Sequence, residues 1–251
     1  MQRYFIKENY HTSDPESLKL IGDDFHHAAH VMRMKVGQEC FLVFQDEVAV
    51  RAKVTELLED YLLLEEVAKE EQEKELPLNV TIACGYTKGD KLDLVVQKGT
   101  EMGAYQFLGF PGQTSVVKWD HKKLKKKQER LAKIAKEAAE QSHRHLQPEV
   151  ILYETEQYLR DTFQEYDVVL VAYEESAKQG EKGQLVKTLQ QLPKGGRLLV
   201  LFGPEGGFSP QEIATFTEMG ALTCGLGPRI LRAETAPLYL LGAISYQLEL
   251  L

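Results

Sequence analysis

Two glycine-rich segments in the last quarter of this 251-residue chain carry residue types suited to holding a ligand. The first, Phe202-Gly203-Pro204-Glu205-Gly206-Gly207, follows an apolar strand and leads into a capped helix. Glycines there let the backbone approach a ligand closely and adopt positive φ. A tight strand-to-helix turn is the plainer meaning of one such loop. The spacing is not that of a GxGxxG dinucleotide fingerprint, and no phosphate-cradling P-loop pattern occurs anywhere in the chain. The second segment, Gly225 to Pro237, again follows a strand but places Arg229, Arg232 and Glu234 in one loop with the apolar pair Ile230-Leu231. A structural turn has no need of two arginines beside such a pair, which is suited to a flat adenine. Two such loops at the carboxyl ends of neighbouring parallel strands would form the crevice where open α/β sheets bind ligands.

The elements that must position these loops follow a strand–helix alternation. Apolar strands are predicted at Val80–Cys84, Gln106–Phe110, Val150–Tyr153, Asp167–Ala172, Arg197–Phe202 and Thr223–Leu226, with helices at Asp90–Met102, Lys122–His143 and Glu234–Leu248. Ser209-Pro210-Gln211-Glu212 has the N-cap serine, first-turn proline and third-position glutamate of a capping box. The long helix presents Leu124, Leu131, Ile134, Ala138 and Ser142 along one stripe. This pattern predicts an α/β domain with a parallel sheet over residues 73–251. Residues 1–72 read differently. Short strands at Arg3–Ile6, Glu39–Phe44, Val48–Thr55 and Tyr61–Val67, with one helix at Asp23–Val31, suggest a small β-barrel.

Composition excludes several classes. Hydrophobic residues make up 43% and charged residues 27%, with no apolar run long enough to span a bilayer. Cys40, Cys84 and Cys224 form no CxxC pair and no disulfide framework. With no signal-peptide core after Met1, the cytoplasm is the expected compartment and no membrane partner is expected. Net charge is −8, yet nine Lys/Arg and only two acids lie between Lys118 and Lys136. Lys118, Lys122, Lys123, Lys126, Lys127 and Arg130 are therefore candidates for RNA phosphates, with Arg33 a weaker one; a solvated helix face is the alternative. His26 and His30 share a helical face at metal-ligand spacing, but with no third ligand evident no metal is expected.

The motifs are also recognisable as a set. Phe202 to Ser209 and Leu226 to Ala236 closely resemble the signature segments of the SPOUT RNA methyltransferases, specifically the bacterial 16S ribosomal RNA uridine-N3 methyltransferase family. His26 to Gly37, Lys88-Gly89-Asp90-Lys91, Gln97 to Glu101 and Glu137 to Arg144 resemble its other signatures, in the same order. The resemblance implies a PUA-like barrel followed by a SPOUT α/β domain whose C-terminal chain threads a trefoil knot. It implies a homodimer that takes S-adenosylmethionine and methylates uracil 1498 at N3 in the 16S ribosomal RNA of the 30S subunit. Another RNA position, or an inert ribosome-assembly protein, is the alternative.

Under that resemblance, the cofactor would meet Phe202 to Gly207 on the first loop. On the second it would meet Leu226, Gly227, Ile230, Leu231, Ala233, Thr235 and Ala236. Ala172, Tyr173 and Glu174, at another strand end, would supply a third wall or be an ordinary strand end. Methyl transfer from a sulfonium is an in-line displacement that needs no metal, only positioning. Loss of the uracil N3 proton builds negative charge on the ring, which a fixed guanidinium stabilises. Arg232 is the first candidate for that role. Arg144 is the second, paired with Glu140 four residues earlier and contributed by a partner subunit; on spacing alone the pair reads as a surface ion pair. Glu205 is either a base or a cofactor contact. The chain departs from the expected pattern at Thr114, where the family is expected to carry arginine.

Overall fold

A computed structural model describes residues 1–175 and 183–251, which fall into two compact units. The first comprises Met1–Glu75 together with Ala139–Gln147, and the second comprises Leu76–Ala138 and Pro148–Leu251. The boundary thus lies three residues beyond the expected one. The nine-residue segment after position 138 was expected in the second unit and belongs to the first.

In the first unit, strands β1 (Arg3–Phe5), β2 (Leu18–Ile21), β3 (Glu39–Val43), β4 (Ala49–Leu57) and β5 (Tyr61–Lys69) form one sheet in the order β1-β3-β4-β5-β2. β1 runs parallel to β3 and the remaining pairs are antiparallel. The sheet is a half-barrel: its two edge strands have three and four residues and no recorded pairing with each other. Alternation on β4 buries Val50, Ala52 and Val54 against Leu62 and Leu64, as the pattern predicts. The expected helix at Asp23–Val31 is α1 (Gly22–His26) followed by a wider π-helical turn over His27–Val31. β2 was not anticipated, since Leu18-Lys19-Leu20-Ile21 is too short to show a period.

Residues 139–147 are bound into this unit by two carboxylates. Arg144 Nε donates to Glu75 Oε2 at 2.9 Å, and its Nη2 bonds the same oxygen. The backbone N–H groups of His145 and Leu146 donate to Glu75 Oε1 at 2.9 and 3.1 Å. The buried Arg3 donates to the Arg144 carbonyl and pairs with Glu70, which also bonds His145 Nε2 at 2.8 Å. Each buried charge therefore has a partner, without which desolvation would be prohibitive.

The second unit contains β6 (Asn79–Gly85), α2 (Lys91–Glu101), β7 (Gln106–Phe110), β8 (Glu149–Leu152), α4 (Glu156–Asp161), β9 (Val168–Ala172), α5 (Gln184–Gln191), β10 (Arg197–Phe202), α6 (Pro210–Glu218), β11 (Leu222–Cys224) and α7 (Thr235–Ser245). α3 (His121–Gln141) runs between β7 and β8 in sequence. All six strands pair in parallel in the order β11-β9-β10-β6-β7-β8. Because side chains alternate along a strand, Val80, Ile82, Leu198, Val200 and Phe202 pack on one face. Ala83, Leu199 and Leu201 pack on the other. α2, α3 and α7 cover the first face, through residues such as Val96, Leu131 and Leu241, and α4 and α6 cover the second through Leu159 and Phe216. Each fully buried leucine contributes roughly 1.5–3 kcal/mol. The capping box at Ser209 is complete: its side chain accepts from Glu212 N, and Ser209 N donates to Glu212 Oε2 at 2.7 Å.

α3 ends sooner than the periodicity suggested. It stops at Gln141, and His143 takes φ +60, so Ser142 leaves the stripe and Arg144 leaves the helix. Glu140 and Arg144 consequently do not share a helical face. Nor is Arg144 at the surface, with 2% exposure.

Candidate active site

Strand order places the two glycine loops differently from expectation. They follow β10 and β11, which are not neighbours, because β9 lies between them. The end of β9, with Ala172 and Tyr173, is therefore the middle wall of the crevice. Tyr173 N donates to Cys224 O at 3.0 Å, fixing that wall to β11. Together the three strand ends close a cavity of about 850 Å³, within the range of pockets that hold small cofactors.

Local backbone chemistry explains the loops. Gly207 has φ +68, and a Cβ on Gly203 would lie 2.8 Å from the Gly207 carbonyl carbon, so the first loop folds upon itself only with glycine at both places. Gly207 N donates to Pro204 O at 2.9 Å and closes the turn. In the second loop, Arg232 O accepts from Thr235 N and Ala236 N at 2.9 and 3.0 Å, so Arg232 stands at the entrance to α7. Its side chain and that of Arg229 are exposed at the cavity wall. Ile230 is 76% exposed and Leu231 half-buried, so this apolar pair is open to a flat ring.

Of the residues expected to meet a cofactor, Ala172, Tyr173 and Glu174 line the cavity, as does Phe202 through Gly207. From the second loop Leu226, Gly227, Ile230, Leu231, Ala233 and Ala236 do so too. Thr235 does not; it forms the first turn of α7. Arg232 and Glu205 also line it, while Glu140 and Arg144 do not. Lys91, Glu175, Phe208, Pro228, Arg229 and Glu234 also line it and were not among the residues assigned to the cofactor from the sequence, although Arg229 and Glu234 stand in the second loop singled out there. The Lys88-Gly89-Asp90-Lys91 motif was the available signal for Lys91.

Glu205 joins this motif to the loop. Its Oε1 accepts from Lys88 N at 3.1 Å and from Lys91 Nζ at 2.8 Å. Burial acts to raise its pKa, but the bonds from Lys91, its own backbone and Lys88 outweigh it and hold the carboxyl below the usual range. That makes Glu205 a poor proton acceptor and a good anchor.

The departure at position 114 also bears on the loop. Thr114 Oγ1 donates to Gly207 O at 2.6 Å, and a Cβ on Gly206 would lie 2.8 Å from the Thr114 Cβ. The neighbouring Gln113 donates its N–H to Glu212 Oε1 at 2.8 Å and accepts from Ser209 Oγ at 2.7 Å. Residues 113–114 thus brace the first loop from behind.

On α3, Lys122, Lys123 and Lys126 are exposed, as is Lys118 just before it. Arg130 is engaged with Asp93, and Lys127 lies over the Trp119 ring at 4.9 Å, so these two are less available to phosphates. Trp119 packs on Tyr86, with ring centroids 4.2 Å apart. Arg33 is exposed at φ +52. Among the described residues no group of His, Cys, Asp or Glu has metal-binding geometry, and no helix is long and apolar enough to cross a membrane.

Comparison with known proteins bears on what this cavity is for. A family model described as "RNA methyltransferase domain" matches residues 74–245, and one described as "RNA methyltransferase PUA domain" matches residues 20–67. The chain is 46% identical to Ribosomal RNA small subunit methyltransferase E of Bacillus subtilis, covering 100% of this chain and 98% of that protein. It is 31% identical to the protein of the same name from Mycobacterium tuberculosis, over 89% and 84% of the two chains. A crystal structure described as a hypothetical protein superposes with a TM-score of 0.91 at 43% identity, covering 99% of each chain. The Ribosomal RNA small subunit methyltransferase E from Neisseria gonorrhoeae, crystallised bound to S-adenosyl methionine, superposes with a TM-score of 0.79 at 27% identity, covering 98% and 97%.

Proposed function

Because this chain belongs to the RNA methyltransferase family, with the small subunit methyltransferases E as full-length relatives, we propose that it methylates 16S ribosomal RNA using S-adenosylmethionine. The observation that carries the reading is the cavity where three strand ends meet, with Arg232 on its wall. Its residues fit such a cofactor. The Gly203–Gly207 turn leaves backbone where side chains would obstruct, and Ile230 and Leu231 offer an apolar face for adenine. Ala172, Tyr173 and the residues of both loops would hold it. When bound, S-adenosylmethionine supplies an electrophilic methyl group on a sulfonium.

The acceptor we propose is N3 of a uridine, the uracil 1498 position of the small subunit, as the sequence resemblance implies. Its N3 proton must leave, and the exposed Arg232 guanidinium is placed to stabilise the charge left on the ring. The rest of the work is orientation: bringing donor and acceptor into line removes much of the entropic barrier. Lys118, Lys122, Lys123 and Lys126 supply sequence-independent attraction for phosphates, and the half-barrel unit, with Arg33, a further RNA surface.

The reading extends to a trefoil knot in the C-terminal chain, supported by the order β11-β9-β10, and to a cytoplasmic homodimer acting on the 30S subunit. A contribution of Glu140 and Arg144 from a second copy would require the Arg144 guanidinium to leave Glu75, which holds it in this structure. The test is transfer of labelled methyl from S-adenosylmethionine to assembled small subunits and to bare 16S RNA, with the modified base identified by mass. Arg232→Ala should abolish transfer while cofactor binding stays within a few fold, roughly. Full activity in that variant would sink the assignment.

A further inference from the structure

Two carboxylates approach the cavity from opposite loops, and they differ in what already holds them. Glu205 is satisfied by Lys88 N and Lys91 Nζ. Glu234 is not. Its side chain is 15% exposed, and its Oε2 has no hydrogen-bond partner. Lys91 Nζ lies 3.9 Å from that oxygen, outside hydrogen-bond range, because its close contact is with Glu205. A secluded carboxylate oxygen without a donor is costly unless something else supplies one. Glu234 lines the cavity, and the backbone beneath it is fixed by the turn from Arg232 O to Thr235 and Ala236 and by buried Pro237 and Leu240 on α7.

We propose that Glu234 is a cofactor-binding residue whose Oε2 accepts a hydrogen bond from S-adenosylmethionine, and that Lys91 is the positioning residue spanning both loops. The inference rests on the reading of this cavity as the methyl-donor site and names a contact within it. The donors available on such a ligand are its ribose hydroxyls, its adenine amino group and its α-ammonium. Each suits a carboxylate, and charge-assisted hydrogen bonds are the stronger kind. With Lys91 drawn towards Glu205, the negative charge of Glu234 is left for the ligand.

Calorimetric titration of the full chain with S-adenosylmethionine tests this directly. Glu234→Ala should weaken binding by about tenfold or more, and the isosteric Glu234→Gln by a smaller but measurable factor. Lys91→Met should weaken it by roughly threefold, with Lys91→Arg restoring most of the loss. Titration with 5′-methylthioadenosine, which keeps the ribose but lacks the ammonium, locates the donor. A parallel loss in Glu234→Ala assigns the donor to the nucleoside, and an unchanged affinity there assigns the ammonium; both uphold the contact. Wild-type affinity for S-adenosylmethionine in both Glu234 variants would overturn it while leaving the methyltransferase reading intact. Failure of the wild-type chain to bind S-adenosylmethionine would instead remove the reading on which the proposal rests.

Discussion

The hydroxyl of Thr114 donates to the Gly207 carbonyl at 2.6 Å, tying the segment after β7 to the glycine loop after β10. Thr114→Val keeps the shape and removes the bond. A bond of this kind contributes about 0.5–1.5 kcal/mol, so S-adenosylmethionine affinity should fall by roughly two- to tenfold. Calorimetry checks this. An unchanged dissociation constant would mean that the loop holds its shape without the threonine.

The Arg144–Glu75 pair predicts a stability effect separable from catalysis. Arg144→Ala leaves the half-buried Glu75 carboxylate with only its backbone donors and should cost about 1–3 kcal/mol. Urea unfolding measures it. If the arginine also acts at a base, kcat should fall under conditions where the variant is still fully folded; otherwise the loss of activity should track unfolding.

Two carboxyl groups respond to pH with opposite sign. Burial acts to raise the pKa of Glu70, but Arg3 and His145 outweigh it and lower the folded value. Its stabilisation is therefore present above the ordinary carboxylate range and lost as pH falls through the lowered folded pKa. Glu156 is raised, by burial first and then by Glu212, with Arg160 acting against both. Its contribution is full below the unfolded pKa and lost as pH rises through the folded one. Glu156→Gln should thus raise stability at pH 7 relative to the parent, with the gain vanishing in acid. Melting temperatures across about pH 2 to 8 decide whether both signs hold.

Salt should report on α3. Replacing Lys122, Lys123 and Lys126 with Gln removes three exposed charges. The slope of log affinity for RNA against log salt should become shallower by about two units. A slope identical to the parent's would assign these lysines to solvent.

Features carried by residue type at short range were legible in the sequence. Gly203 and Gly207 are fixed by a backbone that tolerates nothing larger, and Ser209 with Glu212 by reciprocal capping, so both could be read from a few adjacent letters. Apolar runs such as Arg197–Phe202 announced buried parallel strands, and the cavity-lining loops followed from them. Pairing order left no such trace. Nothing local says that β9 inserts between β10 and β11, which makes the end of β9 a central wall and not an optional one. Glu75 and Arg144 are 69 residues apart, a separation at which no periodicity operates. The importance of Lys91 and Glu234 likewise depends on two loops meeting in space.

The excursion of residues 139–147 into the first unit has a consequence for the order of events during synthesis. A chain emerging from the ribosome has its half-barrel strands available once Lys69 is out, but the Arg144 partner of Glu75 and the His145 contact of Glu70 arrive some seventy residues later. Until then two carboxylates and Arg3 await their final contacts, and the unit stays incomplete through the making of β6, α2, β7 and all of α3. Domains ordinarily fold as units, the N-terminal one first. Here the N-terminal unit closes late, and a fragment ending at Glu75 would be missing a piece of itself.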